Sequence, residues 1–256
     1  MYAEERQQAI AVQAGERGRV SVADLARRFD VTPETIRRDL DVLELAGAIE
    51  RVHGGAVAAK SLRLVEAAVP ARETTRIVEK TRIAHAALAL LATRHYHSVI
   101  LDAGTTTGRL ADVLSADLVK TVVTNSVTIA ATLAPRGVAE VQLLGGRVRG
   151  LTEATVGSTT VDTLATIRAD IVFLGTNGFT LGHGFSTPDH AEAGVKRAMV
   201  KAAAKVVVLA DSEKFGSELL VRFANLNEVH MLITDNQLSV EARDALQTAG
   251  IEVVIA

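Results

Sequence analysis

Several short polar segments follow directly on apolar runs, and their residue types suit an anion. The segment LDAGTTTGRL (101–110) places Asp102, then Gly104, Thr105, Thr106 and Thr107, between an apolar run and a helical pattern. Backbone N–H groups at a helix N-terminus, with hydroxyls beside them, make an anion cradle. Thr124 and Asn125 end a second apolar run, Gly145 and Gly146 a third, and Asn177 stands in GTNG after a fourth. Lys196 lies on a later amphipathic stretch, and Asp211 with Lys214 closes the row. A single glycine or threonine after a strand can be an ordinary turn, and Asp211 with Lys214 alone can be a surface pair. Four such ends together with a lysine predict one crevice at the ends of the strands.

Other chemistries are thinly represented. The chain has no cysteine, which excludes disulfide frameworks and thiolate sites. Its seven histidines show no metal-ligand spacing, so no metal or cofactor is expected. His95 and His97 bracket Tyr96 in a surface or packing role, while His183 and His190 flank HGFSTPDH, read as a loop able to close over a ligand.

The elements that must position these groups alternate along the chain. SVILD, KTVVT, EVQLL, DIVFLG, KVVVLAD, VHMLIT and IEVVIA are short, β-branched and apolar, as strands buried on both faces of a mostly parallel sheet should be. Helical patterns such as EKTRIAHAALALLA (79–92) and HAEAGVKRAMVKAAA (190–204) separate them. The fold class is α/β, a doubly wound domain over 75–256 in which ligands bind beyond the carboxyl ends of the strands. At 256 residues and 48% hydrophobic the chain can bury a sizeable core. No apolar run reaches membrane-span length and the acidic start is unlike a signal peptide, so a soluble cytoplasmic protein without membrane contact is expected.

The first sixty residues read differently. A helix over 4–14 ends near Gly15 and Gly18; Ser21 caps a second helix, VADLARRF, with Asp24 at its third position and Leu25, Ala26 and Phe29 inward. After a turn at Asp30 and Val31, Thr32 and Pro33 open a third helix that runs to Gly47. Ile36, Leu40 and Leu43 share one stripe, so Glu34, Arg37 and Arg38 face outward with Thr35 on the flank. AIERVHGGAV (48–57) is two extended pieces around Gly54 and Gly55. This is a winged helix-turn-helix (1–57), which places the N-terminal residues of its third helix against base edges in a major groove. Arg37 and Arg38 alone could be a solvated face, and residues 1–60 carry nine basic against ten acidic side chains. DNA binding then requires Arg27, Arg28, Arg37, Arg38 and Arg51 gathered on one face. Residues 58–74, with Pro70, read as the joint between the two domains.

VTPETIRRDLDVLELAGAIERVHGGAV resembles the DNA-binding signature of the DeoR family of bacterial regulators, with its TIRRDL helix and R-x-HGGA wing. The resemblance adds His53 and Gly54 of the wing to the DNA-binding residues and extends over nearly the whole chain. MYAEERQQAI, QLLGGRVRG and EVVIA most resemble the actinobacterial regulators of fructose and phosphotransferase-sugar uptake. The family's sensor is similar in fold to ribose-5-phosphate isomerase and the coenzyme A transferases, with GTTT matching the phosphate loop and EAGVK the lysine-bearing segment. The resemblance therefore implies a phosphorylated-sugar effector, fructose 1-phosphate or a related hexose phosphate. An isomerase is the rival reading. Those enzymes place acids where this chain reads GTNGF, and Asn177 cannot take a proton; Asp102, Glu192 and Asp211 can serve as hydroxyl acceptors. The expectation is a repressor of sugar-uptake genes without catalytic residues, holding double-stranded operator DNA as a homodimer or homotetramer. Glu213, before Lys214, departs from the family pattern, so either it points away from a phosphate or the preferred ligand differs.

Overall fold

The computed structural model describes residues 6–7, 9–11, 13–14, 19–45, 49–52, 54–58, 69–94 and 96–256. Gly47, His53, His95 and most of the predicted joint lie outside them. The chain divides into two compact units, residues 1–61 and 62–256.

In the first unit β1 (Arg19–Ser21), β2 (Ile49–Val52) and β3 (Gly55–Ala58) pair antiparallel in the order β1-β3-β2. Between β1 and β2 run α1 (Val22–Phe29) and α2 (Pro33–Leu45). Ser21 caps α1 through the Asp24 N–H, and Asp30 ends it in the left-handed region at φ 52°. Thr32 caps α2, its hydroxyl oxygen accepting from the Thr35 N–H at 3.2 Å. Leu25, Ile36, Leu40 and Leu43 meet Ile10, Val20 and Ile49 in one core, whereas Phe29 is only half-buried beneath the Arg28 guanidinium. Strand β1 was not legible in the sequence, because three residues are too few to show a period. Gly55 admits it: a Cβ there would lie 2.0 Å from the Val20 carbonyl oxygen. Across this core Arg6 grips Asp39 of α2 with two hydrogen bonds, at 2.6 and 3.2 Å, and Gln7 adds a third at 2.9 Å.

The second unit is built on a seven-stranded sheet in the order β15-β14-β12-β9-β4-β5-β6, with every neighbouring pair parallel. Its strands are β4 (Ser98–Leu101), β5 (Thr121–Thr124), β6 (Glu140–Leu143), β9 (Ala169–Gly175), β12 (Ala203–Leu209), β14 (Met231–Thr234) and β15 (Glu252–Ile255). Alternate side chains serve opposite layers. Leu101, Phe173 and Leu209 pack with α4 (Ile77–Thr93), α5 (Thr105–Val113) and α6 (Val127–Leu133). Ile100, Val172 and Val208 pack with α7 (Ser158–Ala165), α8 (His190–Ala202) and α9 (Val240–Thr248). Strand order reverses between β4 and β9, the switch point where an open α/β sheet leaves a crevice.

Three expectations need correction. EVQLL and IEVVIA are not buried on both faces: β6 and β15 are the two edges of the sheet, and Leu143 and Ile255 are 45% and 37% exposed. HGFSTPDH is not a closing loop, because Gly184–Thr187 forms β11, buried between β10 (Gly178–Thr180) and β13 (Val221–Ala224). The joint is shorter than 58–74, since α3 (Val69–Glu73) is helical and the Val69 N–H donates to the Leu151 carbonyl at 3.1 Å. Pro70 is tolerated because it stands in the first turn. β7 (Arg147–Arg149) and β8 (Ala154–Val156) form a separate hairpin. No described helix is long and apolar enough to cross a membrane.

Asp39→Ala leaves Arg6 charged, buried and unpaired, and should destabilise the first unit by about 3–5 kcal/mol. Replacing the pair together, Arg6→Met with Asp39→Leu, should recover most of that loss. Urea unfolding of the full chain followed by circular dichroism reads both; an unchanged midpoint for Asp39→Ala would show that the pair contributes nothing.

Candidate functional site

The outward face of α2 carries Glu34, Arg37 and Arg38, all exposed, with Thr35 half-buried beside them. Arg37 pairs with Glu34 at 3.1 Å, and Arg38 has no ion-pair partner among the described residues. Arg27 pairs with Asp24 on α1, while Arg28 bonds Gln13 and covers Phe29. Arg51 does not extend into solvent from the wing: it pairs with Asp41 and donates to the Arg37 carbonyl at 3.3 Å. It therefore ties β2 to α2. Ser21 is engaged as a cap, and Gly54, at φ 80°, forms the exposed wing turn. Glu34, Arg37 and Arg38 thus share the exposed face of the first half of α2, and Thr32 caps its start.

In the second unit a cleft opens where β4 and β9 diverge. Gly104, Thr105, Thr106 and Thr107 line it from the first turn of α5, with Asn177, Lys196, Asp211 and Lys214 around them. The Thr107 hydroxyl donates back to the Gly104 carbonyl at 3.0 Å, whereas the hydroxyls of Thr105 and Thr106 have no protein partner among the described residues. Asn177 also belongs to the fold, its N–H donating to the Ser186 carbonyl at 3.3 Å.

At the back of the cleft Lys196, which lines it, forms a buried ion pair with Asp102. One Asp102 oxygen also accepts the Gly175 N–H at 3.0 Å, and Lys196 donates to the Gly175 carbonyl at 2.9 Å. Burial pushes the Asp102 carboxyl above the usual carboxylate range, with Lys196 opposing. Lys196 therefore stands in the expected cleft as half of an ion pair with Asp102 rather than as a free cation.

Four further expectations are not met by position. Thr124 is buried, its hydroxyl donating to the Leu101 carbonyl at 2.7 Å and accepting the Ser126 N–H at 3.0 Å. The Asn125 side chain accepts the Ala103 N–H at 2.9 Å, which positions the Gly104 turn from behind. Gly145 and Gly146 lie against α7, where the Gly145 carbonyl accepts from Thr160 at 2.7 Å, and line no part of the cleft. These side chains complete internal hydrogen bonds that a strand end demands when it is buried.

The cations the cleft does hold were missed in part. Lys80 of α4 is 4% exposed, donates to the Arg72 carbonyl, and lines the cleft with Arg72 and Thr75. Burial lowers its pKa to about 8; Asp211 opposes that, while Lys214, Arg72 and Arg109 add to it. The sequence held a signal, because Lys80 falls on the apolar stripe of Ile83, Ala84, Ala87 and Leu91. A lysine there must be desolvated or aimed at a partner. Asp211, 2% exposed, leaves one carboxylate oxygen without a partner. Glu192 accepts from Thr152 and from Arg149 at 3.1 Å. Glu213 turns away, 3.3 Å from Arg76. No group of three or more potential ligands for a metal occurs among the described residues.

Residues 6–62 match the DeoR-like helix-turn-helix domain, and residues 75–236 match the DeoR C terminal sensor domain. The chain is 38% identical over 252 residues to the HTH-type transcriptional regulator GlpR of Haloferax volcanii, covering 98% of this chain and 97% of that one. It is 32% identical to the HTH-type transcriptional repressor GlcR of Bacillus subtilis, covering 100% and 97%. It is 30% identical to the glycerol-3-phosphate regulon repressor of Escherichia coli, over 90% of each. Among solved structures, ribose 5 phosphate isomerase A from Neisseria gonorrhoeae is similar over 55% of this chain and 54% of that one, at 18% identity and a TM-score of 0.38, a likeness too slight to bear on function. With both of its units matched in their order, the chain belongs to the DeoR family of transcriptional regulators.

Proposed function

We propose that this regulator is a repressor of sugar-uptake genes, holding its operator through α2 and the wing and releasing it when a phosphorylated sugar enters the cleft. The observation that carries the reading is the meeting of Lys80, Arg72 and Lys214 with the threonine turn of α5 in one cleft. Lys80 gives up much of its hydration there and has a lowered pKa, so an anion that restores its charge balance is bound favourably. Arg38, Arg37, Glu34, Thr35 and Thr32 read the operator, and the wing contributes Gly54 and His53. Arg27 and Arg28 serve phosphates from α1. One winged helix offers little surface, so a homodimer or homotetramer places two of them on repeated half-sites. The ester must prefer the form that does not hold DNA, since equal affinity shifts nothing. Fructose 1-phosphate is the first candidate.

Binding without turnover is favoured by the state of the carboxylates. Asp102 is committed to Lys196, Glu192 to Arg149 and Thr152, the unpaired oxygen of Asp211 is buried, and an asparagine occupies position 177. Recovery of the ester unchanged after incubation with the protein checks this; its isomerisation would reverse it.

Titration of the protein on its own upstream DNA at fixed salt, with and without hexose phosphates, tests the whole reading. Specific binding released by an ester is the expected result, and specific binding indifferent to every phosphate ester removes the sensor half. Arg38→Ala should weaken operator binding by about 5–150-fold, equivalent to 1–3 kcal/mol, while leaving ester binding intact.

Ester affinity should depend on pH through Lys80. Below pH 8 the empty cleft already holds Lys80 protonated and affinity is greatest; above it binding must take up a proton, and affinity falls up to about tenfold per unit. Calorimetry between pH 7 and 9.5, where the ester stays a dianion, should show that slope in the native protein and a flat, weaker profile in Lys80→Met. A native profile flat across pH 8 removes Lys80 from the site.

A further inference from the structure

Beside the cleft lies a second cavity, of about 170 Å³, between α3, α5 and α6. It shares Gly104, Thr105 and Thr152 with the cleft, whose own room is about 60 Å³. We propose that the two are compartments of one site, and that the effector is a monophosphate whose uncharged, hexose-sized body occupies the second. This rests on the reading above, in which the cleft takes the phosphate.

Size is the first argument. The second cavity has nearly three times the room of the cleft, and a hexose, with about twelve heavy atoms, is between two and three times the size of a phosphate group of about five. Neither compartment takes the whole ester, and the shared threonine turn is where its two parts would join. A three-carbon ester would leave most of the second compartment unused.

Charge is the second argument. Besides Lys196, which is paired with Asp102, the cleft holds Lys80, Lys214 and Arg72 against Glu192 and Asp211, whereas the second wall sets Arg109 against Glu73 and Asp112. Two carboxylates against one guanidinium repel a second phosphate and accept hydrogen bonds from hydroxyls. Arg109, on the same wall, donates to the Glu73 carbonyl at 3.4 Å. Val69 and Ile129 supply apolar surface for the C–H face of a sugar ring. The compartment thus suits a neutral polyol and rejects a bisphosphate.

Gly108 gives a clean test. It sits in α5 on the wall of the second cavity, and a Cβ there meets nothing within 4 Å. Leucine is a better helix former than glycine, so Gly108→Leu fills the compartment without opposing the fold. Calorimetry compares inorganic phosphate, glycerol 3-phosphate, the common hexose monophosphates and fructose 1,6-bisphosphate on both proteins. In the native chain at least one hexose monophosphate should bind about tenfold tighter than glycerol 3-phosphate and tighter than the bisphosphate. Gly108→Leu should lose about tenfold or more for that hexose ester and keep its affinity for inorganic phosphate, glycerol 3-phosphate and operator DNA. Equal affinity for three- and six-carbon esters in the native chain, or an unchanged hexose affinity in Gly108→Leu, overturns the two-compartment site and leaves the phosphate cleft standing. Failure of every ester to bind the native chain overturns both.

Discussion

The sensor is organised around the buried contact of Asp102 and Lys196 with Gly175. At this point the strand order reverses, so β4 and β9, paired along their length, must send their chains to opposite layers. The Asp102 carboxylate takes the Gly175 N–H and the Lys196 ammonium takes the Gly175 carbonyl, which satisfies both backbone groups where the ladder stops. The two side chains are 2% and 5% exposed. Desolvating such a pair consumes much of its Coulombic attraction, so its contribution is to arrangement more than to net stability. It holds α8 against the switch point, fixes the back of the cleft, and withdraws one lysine and one carboxylate from the charge a ligand meets.

What remains for the ligand follows from that withdrawal. Lys80, Arg72 and Lys214 come from segments near the start of the unit and after β12, and they converge because α4 packs beneath the strand ends. Lys214 is carried by a short turn whose Ser212 N–H is held by Asp235 at 2.8 Å, and Arg76 binds the same Asp235 at 3.2 Å. The segment that follows α3 and the turn that follows β12 are therefore fastened to each other through one carboxylate.

The first unit solves a different electrostatic problem. It carries slightly more acid than base, yet Asp39 is spent inside on Arg6 and Asp41 on Arg51. Those two contacts orient α2 against the first helical segment and the wing while consuming carboxylates that would otherwise repel DNA. The exposed Arg37–Glu34 pair is worth about 0–1 kcal/mol in water, so Arg37 can leave Glu34 at little cost. Net charge was a poor guide here because it sums over the whole unit and does not say which charges share the outward face of α2.

The amino-acid order determined everything that depends on neighbours along the chain. Ser21 and Thr32 cap their helices, Ile36, Leu40 and Leu43 form one stripe, and the apolar runs became the seven parallel strands. Gly104 to Thr107 stand at a helix start, as local spacing required. Only the tertiary structure decided which members of those patterns face one another. EVQLL has the composition of an inner strand and sits at the edge; HGFST looks like a loop and is a middle strand. Thr124 and Asn125 have ligand-like chemistry, yet buried backbone groups claim their hydrogen bonds, and Asp102 claims Lys196. Lys80 lay unread in an apolar stripe until packing put a cleft before it. The physical reason is that capping and periodicity are settled within a few residues, whereas a polar side chain's role depends on which donor, acceptor or charge reaches it first across the fold.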